Sequence, residues 1–320
     1  MDNSSLQYPI EIDPPDLEIW RSGNAGIDFV HSFDSGRPGP HVMVSALVHG
    51  NELSGAVVLD WLLRLQVRPT RGRLTLAFIN VEAYQAFDPT RPDDSRFVDE
   101  DMNRVWDAAT LDGERTSREL TRARALRSLL DGVDFLLDIH SMQHPTPPLL
   151  LCGPTRKGRE LARAIGYPMY VMADQGHAAG RRMRDYRDFG DEASPRNALL
   201  VECGQHFAAS SAVVAKEMTL RFLSHFEIID PAFVRSHLLA GEPATQQIIE
   251  ITDPVTIETD QFRFAGDFVG MEVLPKAGDL IGHDGEREIR APYDNCVLIM
   301  PSRRLEKGLT AVRLGRFVDC

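Results

Sequence analysis

The chain has 320 residues, 43% of them apolar, with 35 Lys and Arg against 47 Asp and Glu, a formal net charge of −12. That length is enough for a large core and for two domains, and nothing in the composition marks a disordered segment. An acidic chain without a basic cluster is a poor partner for nucleic acid or an anionic membrane. Any anionic ligand must therefore be met by locally placed arginines.

The first twenty residues, MDNSSLQYPIEIDPPDLEIW, are polar and acidic and lack the basic start and apolar core of a signal peptide. Pro14, Pro15 and Gly-rich turns leave room for one or two edge strands before residue 40. The apolar run Val42–Val48 reads as a buried strand, stops at His49-Gly50-Asn51-Glu52, and gives way to a helical pattern over 52–65. A strand follows at 74–79, then a long irregular loop from Asn80 to Asp112, a length of loop that usually carries function. Helices are expected at 115–131, 156–166 and 210–227, and strands at 133–139, 148–152 and 197–202. Near-continuous apolar strands between amphipathic helices argue for an α/β fold: a mixed, largely parallel sheet flanked by helices. After Pro231 the texture changes to short alternating runs (QQIIEI, VTIET, MEVL, NCVLIM, TAVRL) between Gly, Pro and Asp turns. This reads as a small all-β domain, dividing the chain into 1–235 and 236–320. No stretch reaches transmembrane length. Cys152, Cys203, Cys296 and Cys320 are far apart, with no CxxC spacing, which fits reduced thiols in a cytoplasmic protein.

Three strand ends carry groups of one chemical kind. His49 and Glu52 follow the first strand, DFLLDIHS ends at His140, and NALLVECG closes on Glu202. Open α/β sheets bind ligands at the carboxyl ends of their strands. Two His and one Glu, with one further carboxylate, is the donor set of metal-assisted hydrolysis of an acyl bond. His49 and Glu52 alone are weak evidence, because a turn histidine and a first-turn acid favoured by the helix dipole look the same. The long loop ends in RFVDEDMNRVW, which holds Arg96, Asn103 and Arg104. Adjacent Asn and Arg can grip a carboxylate, and a separate Arg can stabilise an oxyanion. Taken singly, either arginine is better read as a partner of Asp99, Glu100 or Asp101. A Cys203–His206 nucleophile pair lacks an orienting group and would leave the other motifs unexplained.

HGNE, the R-x6-NR loop, the DIH strand end and the later ECG together resemble the succinylglutamate desuccinylase/aspartoacylase family, within the wider zinc carboxypeptidase-like group. The resemblance covers about residues 40–228. It implies one zinc ion per chain bound by His49, Glu52 and His140, with Glu202 as general base and then general acid. It implies that Arg96 polarises the scissile carbonyl and that Asn103 and Arg104 hold a substrate carboxylate. Asp138 is read either as an acceptor for a ligand imidazole N–H or as an ordinary strand-end acid. In HAAGRRMRDYRDFGDEASPRN, the residues Arg181, Arg182, Arg184, Tyr186 and Arg187 are candidates for reading a further carboxylate, with Tyr186 and Arg187 assigned to substrate. Tyr293 is a weak candidate for closing over the site, and His144 and His206 for lining it. The reading that follows is a zinc-dependent amidohydrolase of a small N-acyl amino acid, cytoplasmic, with homo-oligomerisation left open. The competing readings are a metallocarboxypeptidase acting on peptides and a catalytically silent binding protein on the same scaffold.

Overall fold

The computed structural model describes residues 8–176, 179–241 and 243–318. Cys320 and residues 177–178 of the arginine-rich stretch lie outside the described residues. In chain order the strands of the first half are β1 (Val30–Asp34), β2 (His41–Ala46), β3 (Arg73–Phe78), β4 (Phe135–Met142), β5 (Leu149–Leu151), β6 (Tyr170–Ala173) and β7 (Asn197–Gln205). The helices are α1 (Leu53–Arg64), α2 (Val81–Gln85), α3 (Ala108–Asp112), α4 (Arg118–Leu130), α5 (Arg156–Ile165), α6 (Ala209–His225) and α7 (Pro231–His237). The remaining strands are β8 (Gln247–Thr256), β9 (Phe262–Phe264), β10 (Val273–Leu274), β11 (Leu280–Asp284), β12 (Arg287–Arg290), β13 (Cys296–Ile299) and β14 (Thr310–Val318).

One eleven-stranded sheet runs in the order β1-β3-β2-β4-β7-β5-β6-β8-β14-β13-β10. Its centre, β3-β2-β4-β7, is parallel, while β1 and β5 are antiparallel to their neighbours β3 and β7. β2 and β7 are buried almost throughout, because both sheet faces are covered. On one face α1, α5 and α6 bury Leu59, Leu62, Leu161, Met218 and Phe222. On the other, α4 and the segments around Trp106 and Phe189 bury Leu120, Leu126 and Met183. Helix ends follow their local chemistry: Ser117 and Thr155 accept backbone N–H bonds at the starts of α4 and α5, and Gly166 takes the left-handed conformation after α5.

The expected edge strand before residue 40 is β1, and the C-terminal part is all-β after α7. β8 pairs parallel with β6, so the large sheet continues across residue 236. A three-stranded sheet, β12-β11-β9, is separate from it. The 80–112 segment is wound into short turns: α2, 3-10 turns at Pro92–Ser95 and Met102–Arg104, and α3. Among the described residues no helix is long and apolar enough to cross a membrane.

Candidate metal centre and active-site pocket

The β2–α1 turn is held in place by contact rather than by sequence propensity. Gly50 N donates to the Arg96 carbonyl at 3.0 Å. A Cβ on Gly50 would lie 2.4 Å from backbone atoms of Ala83 and Ser95, so only glycine lets the turn press against both. Glu52 caps α1 by position, yet its side chain makes no capping bond. Its carboxylate faces inward: Oε1 lies 2.7 Å from His49 Nδ1, and Oε2 lies 2.9 Å from His140 Nδ1 and accepts from Ser141 N at 3.1 Å. His140 stands opposite Glu202 in the β4–β7 register, next to a bulge in the ladder. Donor atoms of His49, Glu52 and His140 all lie within 4.8 Å of one another, and all three residues are buried.

Both imidazoles are backed by carboxylates. His49 Nε2 is 2.9 Å from Asp101 Oδ1, and His140 Nε2 is 2.9 Å from Asp138 Oδ2, whose other oxygen accepts from Ser45 Oγ at 2.8 Å. Histidines that ligate a metal characteristically donate their second N–H in this way. Each Nδ1 therefore faces a Glu52 oxygen less than 3 Å away, an approach that either a proton on the imidazole or a shared metal ion satisfies. Glu52, Asp101 and Asp138 gather three carboxylates around the two imidazoles, with Arg96 and Arg104 as cationic partners. Burial opposes ionisation of Glu52, but the two histidines over-ride it and hold its carboxyl well below the usual range. Burial also acts against the His140 cation, and Asp138 and Glu52 reverse this and raise its pKa well above the ordinary value. The residues present thus fit a divalent metal with nitrogen and oxygen donors.

The loop carrying Arg96, Asn103 and Arg104 is anchored from below by Glu119, on the first turn of α4. Its Oε1 accepts from Asn80 Nδ2 at 3.0 Å and Val98 N at 2.7 Å, and its Oε2 from Asp99 N at 3.1 Å and Glu100 N at 3.3 Å. Arg96 donates to Asp101 Oδ2 at 3.2 Å and to Glu52 Oε1 at 3.4 Å. Asn103 Oδ1 accepts from Met183 N at 2.8 Å, which fastens the 180s segment to the loop. Arg104 Nη1 bonds the carbonyl of Asn103 at 2.8 Å.

These groups open on a cavity of about 440 Å³. His49, Glu52, Arg96, Asn103, Arg104, His140 and Glu202 line one side, with His144 and His206. Met300, Leu309 and Arg313 close the other side from the C-terminal strands and their loop. Glu202 is buried, and its Oε2 has no hydrogen-bond partner among the described residues. Burial, with Glu52 close by, pushes its carboxyl up to about 8. Such a group can hold a proton near neutral pH and give it up to a stronger base. His206, bonded to Ser141 Oγ at 2.8 Å, is pushed down by burial to about 3 and stays neutral.

A family model, the succinylglutamate desuccinylase/aspartoacylase catalytic domain, matches residues 38–226, which include every residue named above as lining the catalytic side of the pocket. The chain belongs to this family. A comparison with proteins of curated function finds no match. Solved structures share the fold. Succinylglutamate desuccinylase from Vibrio cholerae has a TM-score of 0.68 at 19% identity, over 92% of this chain and 86% of that one. The Vibrio parahaemolyticus succinylglutamate desuccinylase gives 0.66 at 17% identity, over 91% and 87%. The product-bound ectoine utilization protein EutE (DoeB) from Ruegeria pomeroyi gives 0.61 at 18% identity, over 96% and 97%.

In this desuccinylase/aspartoacylase family member, the structure places two expected substrate contacts outside the cavity lining. Tyr186 packs against Trp106 and donates from its hydroxyl to Asp131 at 2.8 Å, and Arg187 pairs with the same Asp131 at 2.6 Å on the surface. Neither lines the cavity, because the 3-10 turn over Met183–Asp185 directs them to the far side of the segment. Arg182 does line it, while Arg184 is buried behind, bonded to the carbonyls of Cys152 and Ala198. Tyr293 bonds Thr252 Oγ1 at 2.6 Å, away from the cavity. The Cys203 thiol is buried and pushed well above its ordinary pKa, the opposite of an activated nucleophile. Asp101, Glu119 and Arg313 went unread in the sequence as site residues. The signal for Arg313 was a lone charge inside the apolar run TAVRL.

Proposed function

We propose that the protein is a zinc-dependent amidohydrolase that cleaves the amide of a small N-acyl amino acid or a similar carboxylate-bearing amide. Residues 1–235 form its catalytic part, and 236–320 a β-rich part that covers the pocket. The observation that carries this reading is the convergence of His49, Glu52 and His140 beside a buried, unpartnered Glu202 carboxyl.

His49, Glu52 and His140 would hold the zinc ion, which when bound would supply Lewis acidity toward a carbonyl and toward water. Glu202, in its carboxylate form, would take the proton of the attacking water and return it to the leaving nitrogen. Arg96, kept positive by Asp101 and Glu52, faces the oxygen on which charge develops. Asn103 and Arg104 hold the substrate carboxylate and so orient the amide. A cavity walled off by Met300–Arg313 favours a small substrate over a peptide in an open groove.

The test is Glu202→Gln, assayed against a panel of N-acetyl, N-succinyl and other N-acyl amino acids after zinc loading. Turnover should fall by roughly 10²–10⁴-fold while the zinc content stays at one equivalent. Near-wild-type turnover in the variant would remove Glu202 from the mechanism. Wild-type protein that takes up no zinc would sink the metal assignment.

A further inference from the structure

Arg313 lies on β14 of the C-terminal part, yet it lines the same cavity as Glu202 and Arg104. Glu202 and Asp185 act on it through space, but among the described residues its one ion pair, with Asp174, is shared. Arg182, Arg184 and Arg313 share only Asp174 and Asp185. Arg182 takes most of this pairing: Nη1 and Nη2 hold Asp174 at 2.7 and 2.9 Å, and Nε holds Asp185 at 2.6 Å. Arg184 holds the other oxygen of Asp185. Arg313 is left with one contact, Nη1 to Asp174 Oδ2 at 3.4 Å, on an oxygen that Arg182 already occupies. Its remaining donors have no partner among the described residues.

Arg104, which lines the same cavity, is similarly underfilled. Nη1 bonds a neighbouring backbone carbonyl, and Nη2 stands 3.8 Å from Asp101, which already serves His49 and Arg96. The two guanidinium groups are only 22% and 14% exposed in their side chains. Burial makes Arg104 harder to keep charged, and Arg96, Arg313 and Arg182 add to this against the pull of Asp101. Both guanidinium groups line one cavity with most of their donors unpaired among the described residues, and such donors can take up an incoming anion. A guanidinium pair of this kind matches a carboxylate through several N–H donors at once.

We propose that Arg313 is a specificity-determining residue: with Arg104 it clamps an anionic group of the substrate, a carboxylate, between the catalytic part and the C-terminal strands. The assignment rests on the reading of this cavity as the substrate site. It gives β14 a direct part in recognition rather than a covering role alone. Substrates without the anion are rejected because both guanidinium groups then stay desolvated and unpaired.

The test titrates metal-free protein calorimetrically with N-acetylglycine, N-acetylglutamate, succinate and the neutral N-acetylglycinamide. It compares wild type with Arg313→Ala, Arg313→Lys, Arg104→Ala and the Arg104→Ala/Arg313→Ala double variant. Wild type should bind at least one of the carboxylates, and Arg313→Ala should weaken it roughly tenfold or more. Arg313→Lys, which keeps the charge and the fold but loses the planar fork, should fall between. The double variant should lose less than the sum of the single losses, because both side chains hold one group. N-acetylglycinamide should bind equally to all variants. With zinc restored and a turned-over substrate, the loss in Arg313→Ala should fall on KM more than on kcat. Carboxylate affinity within twofold of wild type in Arg313→Ala, equal losses for the neutral amide, or no carboxylate bound by wild type up to roughly 50 mM would each overturn the proposal. Binding through Arg313 without hydrolysis would refute the hydrolase reading alone. Hydrolysis indifferent to Arg313 would refute this one alone.

Discussion

Glu119→Gln tests whether the site depends on an anchor that touches neither metal ligand nor substrate. The carboxylate is fully buried and accepts four bonds, three of them from consecutive backbone N–H groups of the Val98–Glu100 loop and one from Asn80. A glutamine of the same volume keeps one oxygen, which can serve either the Asn80–Val98 pair or the Asp99–Glu100 pair. The other position becomes an NH₂ pointed at two N–H donors. Losing two charge-assisted bonds, one of them long, costs about 3 kcal/mol at about 1.5 kcal/mol each. In a chain of this size that lowers Tm by on the order of 6 °C. The loosened loop carries Asp101 and runs between Arg96 and Asn103, so the effect reaches the site. Metal affinity should drop by roughly 10–100-fold as the support of His49 is lost, and kcat/KM should fall with it. The assays are thermal unfolding, zinc competition against a chromophoric chelator, and turnover of the best N-acyl amino acid. Asp112→Asn, which removes a 60%-exposed partner of Arg127, is the control and should do almost nothing. A Glu119→Gln protein with unchanged Tm and zinc affinity within twofold of wild type would refute the anchoring argument.

Gly50→Ala should cost about 2 kcal/mol and displace His49, because the new methyl meets backbone of Ala83 and Ser95 rather than a movable side chain; zinc titration that matches wild type would contradict this. Asp101→Asn should lower zinc affinity roughly 10–100-fold by weakening the acceptor behind His49, read by chelator competition with the fold monitored by circular dichroism. Asp185 supplies a pH test away from the metal. Burial alone would raise its carboxyl, but Arg184 and Arg182 prevail and bring it to about 2 from an ordinary 3.8. The depressed pKa means the stabilisation is complete above about 4 and is lost as pH falls toward 2, a contribution of about 2 kcal/mol. The stability gap between wild type and Asp185→Asn should therefore narrow over that window in denaturant titrations at stepped pH; a gap independent of pH would show that the ion pairs contribute nothing through the charge of Asp185.

What could be read in advance and what could not divide along a physical line. His49, Glu52, His140 and Glu202 announce themselves because each closes an apolar run, and a run that ends in a polar side chain at the carboxyl edge of a sheet has one place to point it. The parallel centre then brings them together without further information, since His140 and Glu202 fall opposite each other once β4 and β7 pair. Asp101 and Glu119 carry no such local mark among 47 acidic residues. Their roles arise from partners 52 residues away for Asp101 and about 20 for Glu119, fixed by how the 80–112 segment coils against α4. Tyr186 and Arg187 were misplaced for the same reason: a run of arginines does not say which of them faces inward, and the short 3-10 turn selects Arg182. The C-terminal strands were legible as strands from their alternation. Their continuity with the main sheet was not, because it depends on β6, four residues long, offering its free edge to β8. That junction carries the consequence for recognition. β14 pairs with β8, and β8 with β6, so Arg313 is carried by the same sheet that carries Glu202. A cation mounted on a shared sheet rather than on a hinged lid is held in place before substrate arrives, which favours discrimination by charge over discrimination by closure.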